Sequence, residues 1–113
     1  MLERRKSPRY AISVATTLWV ADSVLRGAML CNVNGGGICV ELPERARLHE
    51  GLPLKCTFTV KHNGSLLSVS SEGVVAWSRD GGKRYAGIAF TNMDEANRRN
   101  LELIVQRCDA GGA

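Results

Sequence analysis

Two short segments carry the residue types that could hold a ligand. The first is Arg4-Arg5-Lys6-Ser7-Pro8-Arg9, an RRxxxR run near the N-terminus. Each guanidinium offers a planar fork that can bind phosphate bidentately, pair with the O6/N7 edge of guanine, or stack on a purine face. The second is Asn32-Val33-Asn34-Gly35-Gly36-Gly37, expected in the turn between two strands. Its carboxamides both donate and accept, and its glycines let a ligand or a neighbouring chain come close to the backbone. Taken singly, each has a plainer explanation. A basic N-terminus is most often a solvated tail, and an Asn/Gly cluster is most often a β-turn. Taken together, they make a ligand-binding role the better explanation of both.

Charge placement points the same way. The chain of 113 residues has a formal charge of +4, and Arg4, Arg5, Lys6 and Arg9 against Glu3 place +3 of it in the first ten residues. A duplex-binding domain would spread positive charge along a whole face. A single-strand binder would interleave aromatics with charge, and aromatics make up only 5% of this chain. With 44% hydrophobic residues, the length suits one globular domain with one core.

The remaining chemistry is sparse. Cys31, Cys39, Cys56 and Cys108 form no CxxC pair, and His49 and His62 lack ligand spacing, so neither a metal site nor a disulfide framework is expected. Cys56 reads as a small core residue. The basic start is followed by no apolar stretch, and apolar runs of about five residues fall far short of a membrane span. A cytosolic location with reduced thiols is therefore expected. No HExxH, GxSxG or phosphate-binding loop is present, and the carboxylates are scattered, so the chain is not expected to be an enzyme.

The elements that must position the two segments follow from periodicity. From Tyr10 the pattern alternates, with Ile12, Val14, Leu18 and Val20 on one face and Ser13, Ala15, Thr17 and Trp19 on the other. Asp22-Ser23 turns the chain into a second strand, Val24 to Cys31, and Ile38 to Leu42 alternates as a third. A loop over 43–53 precedes the clearest strand, with Leu54, Cys56, Phe58 and Val60 inward. Asn63-Gly64 closes a hairpin into a long strand from about Leu66 to Ser78, and Asp80-Gly81-Gly82 turns it into Arg84–Phe90. Asn92 and Glu95 have capping-box spacing, and Leu101, Ile104 and Val105 make a helical stripe ending near Arg107. The pattern predicts a six-stranded antiparallel β-barrel with one C-terminal helix covering an open end or edge. Its expected parts are an arm over 1–9, a barrel with its helix (about 94–107) over 10–107, and a tail over 108–113.

With both segments in place on a barrel pattern, the chain resembles the PilZ domain family. Members carry RxxxR in an N-terminal arm, matched by Arg5 and Arg9, and (D/N)xSxxG on the barrel, matched at its ends by Asn32 and Gly37. Gly73-Val74-Val75-Ala76-Trp77, Tyr85 to Phe90 and the closing helix also look like the family, so the likeness spans roughly 4–107. One position departs: Asn34 stands where the family usually has Ser.

The resemblance implies a bacterial receptor for the second messenger cyclic di-GMP, with no cofactor. Arg5 and Arg9 would contact phosphates and guanine edges, Asn32 would read the guanine Watson–Crick side, Asn34 would add a contact, and Gly37 would keep the wall open. Arg4, just before RxxxR, leans toward an intercalated dimer of the ligand. Trp77 is either core or a stacking platform for guanine, and its strand neighbours leave both open. Trp19 reads as surface or helix-packing, Tyr10 as a pin for the arm, and Arg79, Lys83 and Arg84 as a solvated face.

Ordering about five arm residues costs roughly 1–2 kcal/mol each. A bidentate arginine–guanine pair returns about 1–3 kcal/mol. Several contacts are needed to offset the ordering, so the arm is expected to be loose when empty and clamped when occupied, a change an effector protein could read. The alternative is a degenerate PilZ-like adaptor that binds no nucleotide and acts by protein contact alone.

Overall fold

The structure, a computed structural model, describes residues 10–112 apart from Asp22 and Arg45. Six strands close into an antiparallel barrel: β1 (Tyr10–Val20), β2 (Ser23–Asn34), β3 (Gly37–Leu42), β4 (Pro53–His62), β5 (Ser65–Gly81) and β6 (Lys83–Asn92), followed by helix α1 (Glu95–Gly112). Around the barrel the order is β1-β2-β3-β6-β5-β4, with β4 pairing back onto β1. The expected barrel with one C-terminal helix is thus the fold observed.

The core is built by the inward residues that alternation picks out. Leu18, Leu30, Val40, Cys56, Phe58, Val69, Val75 and Ile88 are buried together, joined by Leu101 and Ile104 from α1. Asn63 and Gly64 both take positive φ, the conformation that a two-residue hairpin loop requires. β2 runs to Asn34, three residues past the end predicted from alternation, so Asn32 and Asn34 are strand residues and only Gly35 and Gly36 form the turn.

The helix cap also differs from expectation. Asn92 is still part of β6, paired with Glu72, and the cap is Asp94. Its Oδ1 accepts from the Asn97 backbone N–H at 2.9 Å and from Asn97 Nδ2 at 2.9 Å, and its carbonyl accepts from Arg98 N at 3.0 Å. The Asn97 amide hydrogen bond holds the Asp94 carboxyl below its ordinary pKa. α1 then runs past Arg107, where the apolar stripe stops.

The placement of α1 follows from an unpaired strand edge. β6 pairs β5 only from Glu72 onward, which leaves the backbone of residues 65–71 bonded on one side alone. Asn97 Oδ1 accepts from Ser70 N at 2.8 Å, and Asn100 Nδ2 donates to Ser68 O at 2.9 Å. Two carboxamides thus take the place of a missing strand.

Burial pushes the Cys56 thiol up to about 12. A raised thiol pKa keeps its stabilising effect below the unfolded value near 8.5 and loses it as pH climbs toward the folded value. Stability should therefore fall between pH 8.5 and 10.5, with up to about 1.4 kcal/mol per pH unit coming from this one thiol. Urea midpoints measured across that range check it. The slope should be shallower in Cys56→Ala, and an unchanged slope would reject the assignment.

Candidate functional site

Two β-bulges decide what the outer face of the barrel displays. Between β2 and β3, Leu30 faces Val40 and Asn32 faces Cys39, so Cys31 is an extra residue on β2. Strict alternation would aim Asn32 inward with Leu30. The bulge instead buries Val33 and turns Asn32 outward. Between β5 and β6, Val75 faces Ile88 and Trp77 faces Gly87, so Ala76 is extra on β5. Val75 stays in the core, and Trp77 is re-aimed to the outer surface.

The result is a row across four strands: Asn32, Cys39, Gly87 and Trp77 are successive register partners. Ala86 and Ile88 are core residues, so Gly87 presents its missing side chain outward. There the Trp77 indole lies flat enough that a Cβ on Gly87 would collide with Nε1, Cε2 and Cδ1. The ring therefore covers Gly87 and borders Cys39, whose other neighbour in the row is Asn32. At a strand spacing of about 4.8 Å, Asn32 and the indole stand roughly 10 Å apart with Cys39 as the floor between them. Arg79 lies over the ring, its Cζ 5.6 Å from the centroid. Trp77 is thus not a core residue.

The next row holds Asn34, Gly37 and Ala89. Asn34 Oδ1 accepts from Gly36 N at 2.8 Å and from Gly37 N at 3.0 Å, an Asx arrangement that shapes the turn. This leaves its Nδ2 as the group free to meet a ligand. Gly36 O accepts from Phe90 N at 2.9 Å, tying the turn to β6. Gly37 is needed for packing: a Cβ there would run into the carbonyl oxygen of Ile88. Its role in the fold is therefore to let β3 start against β6.

Arg4, Arg5 and Arg9 lie outside the described residues. Arg9 is bonded to Tyr10, whose partner is Val33, and Ala11 pairs with Asn32. The chain thus enters the barrel directly beside Asn32 and Asn34. Of the three basic residues at the β5–β6 tip, Arg84 is no solvated charge: its Nη1 donates to the carbonyls of Glu44 (2.7 Å) and Ala46 (3.1 Å). Trp19 is 38% exposed on the outer surface. No described helix is long and apolar enough to cross a membrane.

A family model for the PilZ domain matches residues 3–107. The chain belongs to the PilZ domain family. Among solved structures it is similar to the inhibitor of motility MotI/DgrA of Bacillus subtilis, with TM-score 0.82 and 18% identity over 98% of this chain. It covers 52% of MotI, spanning about half the length of that protein. It is also similar to the PilZ domain of YcgR from Escherichia coli with c-di-GMP, with TM-score 0.72 and 19% identity, covering 97% of this chain and 95% of that one. No curated protein matches. At these identities the two structures establish a shared PilZ fold. The bulges at Cys31 and Ala76 are what sequence periodicity missed, since a bulge breaks the very alternation used to assign faces.

Proposed function

We propose that this PilZ domain is a cytoplasmic cyclic di-GMP receptor that signals by arm ordering and contact with an effector protein. The observation that carries the proposal is the pair of bulges that set Asn32 and Trp77 facing outward across Cys39, beside the point where the arm enters β1. Asn32 reads the guanine Watson–Crick edge, and Trp77 supplies a ring on which a base stacks in place of the Arg79 guanidinium, a stacking contact worth about 1–3 kcal/mol. Asn34 contributes its Nδ2, because its Oδ1 serves the turn. Arg5 and Arg9 close over the phosphates and guanine edges. Arg4 favours two intercalated ligands per site. That the similar YcgR domain carries c-di-GMP supports the proposal. No catalytic step is assigned to the chain.

The second reading, an adaptor without nucleotide binding, draws on one observation: the Asn34 acceptor is engaged within the turn and is not offered to a ligand. Calorimetric titration of cyclic di-GMP separates the two. Saturable binding near or below micromolar, about −8 kcal/mol, is expected. Arg5→Ala should weaken it at least tenfold, and two ligands per chain should bind if Arg4 acts as assigned. No heat with the native chain, but binding in Asn34→Ser, would transfer the function to the adaptor reading.

A further inference from the structure

A cavity of about 350 Å³ opens at the end of β3 opposite Gly37, beneath the 43–52 loop. Leu42, Leu48 and Tyr85 give it an apolar floor, and Arg47, Arg79 and Asp80 stand at its rim. Past Leu42 and Arg84 it adjoins a polar depression of about 340 Å³ lined by Glu41, Glu44, Gly82 and Lys83, in which Lys83 already pairs with Glu41 at 3.9 Å. The loop wall is held in place by Arg84, which bonds two loop carbonyls and also donates from Nε to Asp80 Oδ1 at 3.3 Å. The cavity is therefore shaped before anything enters it.

We propose that this cavity docks an effector protein through an acidic segment carrying one aromatic or branched aliphatic anchor. The cavity is large enough to take a bulky aromatic side chain, and acidic residues flanking that anchor would meet Arg47 and Arg79 at the rim, away from the Glu41 and Glu44 end. Charge selects the acidic partner. Three arginines (Arg47, Arg79 and Arg84) border the cavity against one carboxylate, Asp80, which Arg47 and Arg84 already share at 3.8 and 3.3 Å. Arg79 has no carboxylate partner among the described residues and lies on Trp77. It thus touches both the rim and the candidate nucleotide face, which would make this pocket the output of the receptor. That link rests on the proposed function; the docking itself does not.

The test uses the full-length chain labelled with ¹⁵N and the peptide acetyl-Asp-Glu-Phe-Glu-Asp-amide. Saturable shifts at the amides of Leu42, Leu48 and Tyr85 are expected. Binding should weaken at least tenfold when the peptide's Phe becomes Ala or its acids become Lys. The same loss is expected in Arg47→Glu and in His49→Glu, both residues that line the cavity at exposed positions and leave the core untouched. Absent shifts, shifts elsewhere, or equal binding of the lysine peptide would overturn the proposal. So would peptide-free dimerisation through this face in sedimentation. Cyclic di-GMP titrated separately into Arg47→Glu distinguishes the two claims. Nucleotide binding without peptide binding to the native chain sinks the docking alone, and peptide binding without nucleotide binding sinks the receptor alone.

Discussion

Gly37→Ala lowers the melting temperature on the order of 10 °C, while Gly35→Ala, two residues away, leaves it almost unchanged. The three consecutive glycines look interchangeable, but their surroundings differ. A Cβ at Gly35 meets nothing within 4 Å, and one at Gly36 meets only Asn34 Oδ1 at an ordinary 3.6 Å. A Cβ at Gly37 meets the Ile88 carbonyl oxygen, with the Ala89 Cα at 3.3 Å. Those are backbone atoms of a paired strand and cannot swing aside as a side chain can. β3 must peel from β6 at its first rung, straining the Gly36 O to Phe90 N bond that anchors the turn. Overpacking of this kind costs about 1–3 kcal/mol, which for a domain of this size corresponds to the stated shift. The Asx turn at Asn34 moves with it, so the proposed cyclic di-GMP affinity should fall in Gly37→Ala and hold in Gly35→Ala. Circular dichroism melts of both variants decide the matter. Equal melting temperatures would mean that β3 and β6 have slack at this rung.

How far the sequence reaches can be judged from the same region. Alternation in Leu54–Val60 fixes β4, the Asn-Gly pair fixes the β4–β5 turn, and the Leu101/Ile104 stripe fixes the helix. These signals are local, repeated and reinforced by burial. The two motif segments were legible as chemistry because arginine and asparagine carry it in their side chains. Their placement was not legible. Asn32 owes its outward direction to one extra residue at Cys31, and Trp77 owes its own to one at Ala76. Nothing in either residue announces a bulge, because the bulge belongs to the pairing of two strands. The cap was missed for a related reason: Asn92 is held in β6 by its partner Glu72, which passes the capping role to Asp94. Arg84 looks solvated in the sequence because the carbonyls it serves lie 38 and 40 residues away in the chain.

On the proposed receptor reading, Gly87→Val should weaken cyclic di-GMP binding by roughly ten- to a hundredfold while leaving the barrel folded. The Cα–Cβ direction at this residue points out of the barrel, since Ala86 and Ile88 on either side are core residues. The new side chain therefore spares the core and strikes the Trp77 ring, which occupies the space above Gly87. Unlike the Ile88 carbonyl at Gly37, an indole can rotate away, so the cost to stability stays within about 1–3 kcal/mol of a total of roughly 5–15. Binding suffers more, because the displaced ring leaves the row opposite Asn32 and gives up its contact with Arg79. Loss of base stacking forfeits about 1–3 kcal/mol, and the valine also fills part of the space beside Cys39. In a Trp19→Phe background the sole remaining tryptophan reports directly: its emission should shift to the red in Gly87→Val and lose its response to nucleotide. Trp77→Ala should lose affinity without the steric term, and so by less. If Gly87→Val binds as tightly as the native chain with the ring displaced, Trp77 is a cover for the sheet and the ligand is held by Asn32 and the arm alone.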